Sequence, residues 1–468
     1  MDQEKFEKLM AKDPAARRPA FFRRPHWTRR NFFEILGAGV VGSYLVKEAR
    51  ADACSSQSVN TISSAQNVIF ILLAGAPSHV DTFDFKMTNG VTPAAANPAT
   101  INGILWPTGI LPKLGDMLGD LAIIRSVRAH ALVHSLAQTW TQIGRNPAAA
   151  LGNIAPNIGS IVALEKTAER LPSHVLPTFL ALNSDGAVGS GYLDAKYAPF
   201  KVNPSAAGLP NTQNSFGSAR WQEMLAALHS EDNVLRVNSP LGKAAEDMDG
   251  FYTAAQGLMY NPAVQSVFTY STSDSQRYGS TSFGNALLVA KQALAAGQGT
   301  RFVQVTVGGW DMHQNIYGPN GNIAQGNNIF TLGKTLDNGL SALLSDLKSS
   351  GLLDETLVIA LGEFGRTPYV TGAGGRDHYP NQFAMFAGAG VKGGNVIGAT
   401  SADGSKVTEF GWSQNREINA EDIEATIYSA MGINWTNICY NDPFHRGFEY
   451  VPQSSGPNYW RPVDELFS

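Results

Sequence analysis

The sequence predicts an α/β fold, a three-layer α/β/α sandwich built on a mostly parallel sheet. Three observations carry that expectation. First, short apolar runs recur at Val68–Leu73 and Leu357–Leu361, with a run broken only by Gln304 and Thr306 at Phe302–Val307, as strands covered on both faces require. Second, these runs alternate with segments of helical period. Third, glycine follows each run within two residues, with polar, chemically able side chains soon after, the pattern of loops at the carboxyl ends of parallel strands.

The chain has 468 residues, 43% hydrophobic and 16% charged, enough for a large core around one broad sheet, and its 47 glycines and 24 prolines imply many elaborated connections. Residues 1–53 read as an export signal rather than as fold. Thr28, Arg29, Arg30, Asn31, Phe32 and Phe33 precede a modestly apolar stretch from Ile35 to Val46. Lys47, Arg50 and the small-residue site Ala51-Asp52-Ala53 follow, and the whole resembles a twin-arginine signal. The apolar stretch falls short of the roughly 20 residues a membrane span needs. That segment holds 11 Lys/Arg and 7 Asp/Glu of the chain's 35 and 39, which leaves the remainder at net charge −8. Such a balance argues against nucleic acid, whose phosphates need a basic face.

With only Cys54 and Cys439, no zinc–thiolate site can form, so any metal must be held by oxygen and nitrogen. In an oxidising compartment the two could pair; alternatively Cys54, next after Ala53, could be lipidated. Residues 54–66 read as a polar linker, and a first buried strand follows at Asn67–Leu73. A second strand is expected over Leu121–Val127, a helix from His134 to a glycine stop at Gly144, and a further helix over Ile158–Arg170. Leu176–Leu182 reads as a strand. Residues 185–275 lack clear periodicity and read as an insertion or cap, with helical pieces at Ser218–Leu228 and Gly242–Tyr252. Helices then follow at Phe283–Ala296, Leu332–Leu347 and Ala420–Met431, with strands at Phe302–Val307, Thr356–Leu361 and Phe383–Ala387.

Beyond residue 53 there are eight histidines, and five of them (His79, His130, His134, His313 and His378) lie in or beside the polar segments after the strands. Zinc and related ions want imidazole nitrogen and carboxylate oxygen converging from several strand ends. Asp311 and His313 alternate along an extended backbone and would share a face. Glu363 follows Gly362 at a strand end, and Asp377-His378 lies in a loop between Gly375 and Pro380. Asp81 follows the first strand. His134 and Ser135 open a helix, where a side chain can serve as a cap or as chemistry. Arg366 would suit two oxygens of a phosphate or sulfate, or an ion pair with Glu363 or Asp377.

At these residues the sequence resembles a known family. Gly75 through Asp84, Gly308 through Asn315, Gly362 through Pro368, Gly375 through His378, Val396 through Thr400 and Ala425 through Gly432 resemble the exported bacterial family called domain of unknown function 1501. That family is in turn similar to the alkaline phosphatase and sulfatase superfamily. The stretch from Asp337 to Pro368 looks like the one that precedes the superfamily's metal-binding Asp-His. The resemblance implies an alkaline-phosphatase-like sandwich over residues 67–468 with a metal site at the strand ends. It implies Asp81, Asp311, His313, Glu363, Asp377 and His378 as metal ligands and their supports. It sets His134 at the superfamily's nucleophile position, with Ser135 beside it. Phe364 stands where a further histidine ligand is usual.

The expectation is an exported metal-dependent hydrolase of phosphate or sulfate esters, located in the periplasm or outside the cell. Its cofactor would be a divalent ion, zinc first, with calcium, magnesium or manganese as alternatives. The substrate would be an anionic small molecule or glycan ester, with His134, Ser135 and Arg366 as the catalytic candidates. Expected partners are the twin-arginine translocase and a neighbouring exported protein of unknown function. The alternative is a non-catalytic exported protein that keeps the fold for binding or surface assembly.

Overall fold

The computed structural model describes residues 54–213, 215–236, 252, 255–318, 326–453 and 459–467. The signal read in residues 1–53 lies outside this range, as does almost all of the helix expected over Gly242–Tyr252. Among the described residues no helix is long and apolar enough to cross a membrane.

The core of the larger unit, residues 56–438 with 449–468, is an eight-stranded sheet. Its strands are β1 (Asn67–Leu73), β2 (Leu121–Arg128), β3 (Phe179–Leu182), β4 (Phe200–Val202), β5 (Phe302–Val307), β6 (Thr356–Leu361), β7 (Asn381–Ala387) and β8 (Val396–Ile397). They lie in the order β8-β2-β7-β6-β1-β5-β3-β4. Every pairing is parallel except those of β7, which runs antiparallel to both β2 and β6. The apolar runs in β1 and β6 are buried at every position, as strands covered on both faces must be.

Helices cover the two faces. α3 (Ser282–Ala295) and α4 (Ile329–Ser349) pack with Ile69, Ile71, Val303 and Val305 in one apolar cluster. The other face carries α1 (His134–Ile143) and α2 (Ile158–Glu165), where Gly159 seats against Phe179 and Phe302. A buried amide trio fixes this second layer: Asn157 Nδ2 donates to Gln304 Oε1 at 3.1 Å, and Gln304 Nε2 donates to Gln142 Oε1 at 2.9 Å. α5 (Ala420–Ala430) docks on α1 through Trp140 Nε1, which donates to Glu421 Oε1 at 2.9 Å.

Three expectations are corrected. Residues 56–66 are not a free linker: Ser63 and Ala65 donate their amides to the carbonyls of Ser429 and Ala430. The 185–275 segment is not wholly an insertion, because Phe200–Val202 forms the sheet's edge strand. The helix expected over Ile158–Arg170 stops at Glu165 and continues as a 3-10 turn over Lys166–Glu169. In a separate small unit, which includes Cys54, Ser55 and residues 439–448, Cys54 and Cys439 form a disulfide.

Glu424 on α5 is 2% exposed, and its carboxylate accepts from Tyr428 Oη at 2.9 Å. Burial pushes its pKa up to about 8, against the opposing pull of Arg145 and the Tyr428 hydroxyl. The folded chain therefore holds a proton there that the unfolded chain releases near pH 4.5. The resulting stability is present below that value and is lost as pH rises towards about 8. Glu424→Gln should flatten the fall in melting temperature across this window and stabilise the alkaline protein by roughly 1–3 kcal/mol. Calorimetry at several pH values checks this, and an unchanged slope in the variant refutes it.

Candidate metal centre

One edge of the sheet collects five chain segments because of register and direction. Leu73 pairs with Val307 and Leu72 with Leu361, so the adjacent parallel strands β5, β1 and β6 end level. β2 ends at the same edge, since Arg128 faces Asn381, and α1 begins six residues later with His134. The reversed direction of β7 brings in the fifth segment: Arg376, Asp377 and His378 precede its first residue and so arrive where the other strands finish. A parallel β7 would have carried them to the far side.

Two glycines allow the loops to close on one another. Gly75 has φ 101°, and a Cβ there would meet the Asp311 amide nitrogen at 2.7 Å. A Cβ on Gly375 would lie 2.0 Å from the carbonyl carbon of His313. At that junction the Arg376 amide donates to Met312 O at 3.0 Å, which draws His313 against Asp377 and His378.

His134, Asp311, His313 and His378 form a group whose ligating atoms all lie within 4.8 Å of one another. The centre is Asp311 Oδ1, with His313 Nε2 at 3.0 Å, His134 Nε2 at 3.1 Å and His378 Nε2 at 3.8 Å; His313 and His378 bring their Nε2 atoms to 3.0 Å. Ligands on a tetrahedral zinc ion sit about 3.3 Å apart, given metal–ligand bonds near 2.0–2.1 Å. His134 Nε2 is the informative atom. It is buried, and although Asp311 is close it has no hydrogen-bond partner. An ion among the four would satisfy it, so these residues fit a divalent metal.

Each imidazole is held from behind through Nδ1. His134 Nδ1 meets Glu363 Oε1 at 2.7 Å, His313 Nδ1 meets Asp377 Oδ1 at 2.7 Å, and His378 Nδ1 meets the Leu132 carbonyl at 2.7 Å. Such contacts fix the tautomer that presents Nε2 to a metal. Glu363 is itself clamped by the amides of Gly75 and Ala76 and by Gln138 Nε2. Asp311 and Glu363 together raise the His134 pKa to about 9, with burial opposing them. Burial pushes the Asp311 carboxyl up, but contacts from His134 and Arg366 outweigh it and hold it below the usual range. Desolvation shifts His378 down, with Arg366 and the two neighbouring imidazoles adding to it and the Leu132 carbonyl opposing.

The other expected residues sit elsewhere. Asp81 is 1% exposed and outside the cluster; its carboxylate receives Arg376 Nε at 2.8 Å and the Tyr317 hydroxyl at 2.6 Å. Glu363 and Asp377 stand one hydrogen bond behind the histidines. Arg366, also 1% exposed, points into the protein as a tie rather than outward as an anion clamp. Its Nη2 donates to Asp311 Oδ1 at 2.6 Å and Gly75 O at 2.5 Å, its Nε to Ala76 O at 2.9 Å and its Nη1 to Arg376 O at 3.1 Å. Ser135 is exposed and makes no hydrogen bond to the four. Sequence reasoning missed Gln138, Arg376, Tyr317 and the Gly75 and Ala76 amides. Gln138 had a signal, since it lies one helical turn after His134; the choice of partner for Arg376 had none.

The chain belongs to the family described as a protein of unknown function (DUF1501), matched over residues 65–448. No curated protein matches it. Among solved structures it is similar to the PsFucS1 sulfatase from Pseudoalteromonas sp., with TM-score 0.39 and 14% identity over 79% of this chain and 68% of that one. It is similar to a protein in the alkaline phosphatase superfamily from Vibrio parahaemolyticus, with TM-score 0.37 and 11% identity over 82% of this chain and 68% of that one. It is also similar to the phosphonate monoester hydrolase SpPMH from Silicibacter pomeroyi, with TM-score 0.38 and 12% identity over 88% of this chain and 76% of that one.

Supports and ligands should separate on mutation. Glu363→Gln and Asp377→Asn should weaken zinc binding about 10–100-fold, more for buried Glu363 than for exposed Asp377. Asp81→Asn should cost roughly 3–5 kcal/mol of stability, because it strips the buried Arg376 of its counter-charge, and should weaken metal binding less than Glu363→Gln does. Competition titration with a chromogenic chelator and urea denaturation measure the two; a greater loss of metal binding in Asp81→Asn than in Glu363→Gln would restore that residue to the ligand set.

Proposed function

We propose that this protein is an exported metal-dependent hydrolase of phosphate or sulfate esters, with zinc held by His134, Asp311, His313 and His378. The observation that carries the reading is the convergence of three imidazole Nε2 atoms on one carboxylate oxygen at the carboxyl edge of the sheet. Three nitrogens and one oxygen suit zinc better than calcium or magnesium, which prefer all-oxygen shells. Structural zinc sites are closed. Here the Asp311 and His313 side chains are 40% and 41% exposed, which leaves one face for water and substrate.

A divalent ion at this point supplies Lewis acidity towards an ester oxygen and towards water. The chain's own residues do the rest. Asp377, Glu363 and the Leu132 carbonyl keep the three imidazoles oriented. Gln138 and the Gly75 and Ala76 amides hold Glu363 still, so His134 cannot swing away. Arg366 fixes Asp311. Ser135 is the exposed hydroxyl nearest in sequence to the cluster and stands as the candidate protein nucleophile, with attack by water as the simpler course.

The arginine pair and small-residue site in residues 1–53 support export through the twin-arginine translocase to the periplasm or beyond. The translocase carries folded proteins, so the metal would be loaded before export. A neighbouring exported protein of unknown function is the proposed partner, and an anionic small-molecule or glycan ester the proposed substrate.

Elemental analysis of the purified chain should give one zinc per chain, and aryl sulfate and aryl phosphate assays should show turnover that chelation abolishes. His313→Ala and His378→Ala should each lower kcat/KM by about 100-fold or more, with Ser135→Ala distinguishing a serine nucleophile from water. Stoichiometric metal without turnover on any ester would instead make this a binding protein on the same fold.

A further inference from the structure

The charge around the cluster limits which ester it can take. Three carboxylates, Asp311, Glu363 and Asp377, surround the imidazoles, and one guanidinium, Arg366, answers them. Asp81 and Arg376 neutralise each other within their own pair. Among the described residues no other lysine or arginine makes an ion pair or hydrogen bond with these side chains. A divalent ion therefore brings the group only to neutrality.

Neither arginine is open to substrate. A guanidinium has five N–H groups. Four of those of Arg366 go to the carbonyls of Gly75, Ala76 and Arg376 and to Asp311 Oδ1; the fifth faces His313 Nε2 at 3.3 Å, a contact that a metal on that nitrogen would replace. Those of Arg376 go to both Asp81 oxygens, to the carbonyls of Thr367 and Pro368, and to the Tyr317 hydroxyl. Both are about 1% exposed, so neither reaches an incoming anion. The exposed charge beside the imidazoles is instead Asp377, with 55% of its side chain open to solvent.

Resting on the hydrolase reading above, we infer that the site selects singly charged esters, namely sulfate monoesters and phosphodiesters, over doubly charged phosphate monoesters. A phosphate monoester near neutral pH brings two negative charges to a neutral site with no cationic clamp and an open carboxylate at its rim. A sulfate monoester or phosphodiester brings one. The first negative charge is attracted by the metal, and the second meets only Asp377.

The test uses the full chain with cobalt(II) in place of zinc and reads the visible absorption of the ion rather than turnover. Methyl sulfate, dimethyl phosphate and methyl phosphate are titrated separately at about pH 8, where only methyl phosphate is doubly charged. The two singly charged probes should bind about tenfold or more tightly than methyl phosphate. Asp377→Asn, which keeps a hydrogen-bonding group beside His313, should narrow that gap several-fold. Methyl phosphate binding as tightly as the others, or a gap that Asp377→Asn leaves unchanged, overturns the inference. Failure to take up cobalt overturns it together with the metal reading, whereas binding in the expected order without ester turnover overturns only the hydrolase reading.

Discussion

The buried guanidinium of Arg366 is the constraint on which the rest of the site depends. It leaves the end of β6 and ties the Gly75 and Ala76 carbonyls after β1, the Asp311 carboxylate after β5 and the Arg376 carbonyl before β7. A charge taken from water is tolerated only when its partners are excellent in geometry and complete in number. Four strand-end segments must therefore adopt one arrangement together, and Asp311 Oδ1 is fixed as the point on which three imidazoles converge. The Arg376–Asp81 pair repeats the device one layer deeper. It braces the loop that carries Asp377 and His378 against the turn after β1.

The three imidazoles are alike in presenting Nε2 but unlike in what stands behind them. His134 leans on a buried carboxylate, His313 on an exposed one and His378 on a backbone carbonyl. A carboxylate behind an imidazole raises its basicity more than a carbonyl does. The carboxylate behind His134 is itself held by two amides and an amide side chain, whereas the one behind His313 is exposed. The site is firmly built on the sheet side and softer on the side that faces solvent.

How much of this was legible in the sequence follows from which forces are local. Unbroken apolar runs such as Leu357–Leu361 announce buried strands, because nothing polar could survive there. The stop of α1 at Gly144 is also local, since the glycine takes φ 58°. Asp311, His313 and His378 were legible as members of one cluster because glycine-flanked acids and histidines after strands have few other uses. Direction and partner choice were not legible. Asn381–Ala387 reads as a strand either way round, and only its pairing with β2 and β6 shows that it runs backwards. Asp81 resembles a metal ligand as closely as Asp311 does, until Arg376, 295 residues away, occupies it. Arg366 could not be recognised as a tie, because its acceptors are backbone carbonyls that carry no sequence signal. The Ser- and Gln-rich run before β1 misled for the same reason: its amides pair with the end of α5 through the main chain.

Phe364 limits how many ions the cluster could accommodate. It follows Glu363 at the end of β6, is 0% exposed, and sets its ring centroid 4.8 Å from that of His134 and 4.5 Å from that of His378. His134 and His378 are themselves 4.5 Å apart and close to perpendicular. The phenyl ring thus fills the space behind two of the ligating imidazoles and holds their planes at an angle. An apolar ring in that place offers nothing to a metal, and the carboxylate beside it is already spent on His134, two backbone amides and Gln138. A second cation on this side would have to be bound by a hydrocarbon face. The same ring packs against two of the cluster's histidines, so the arrangement fits one ion better than two that share the charge.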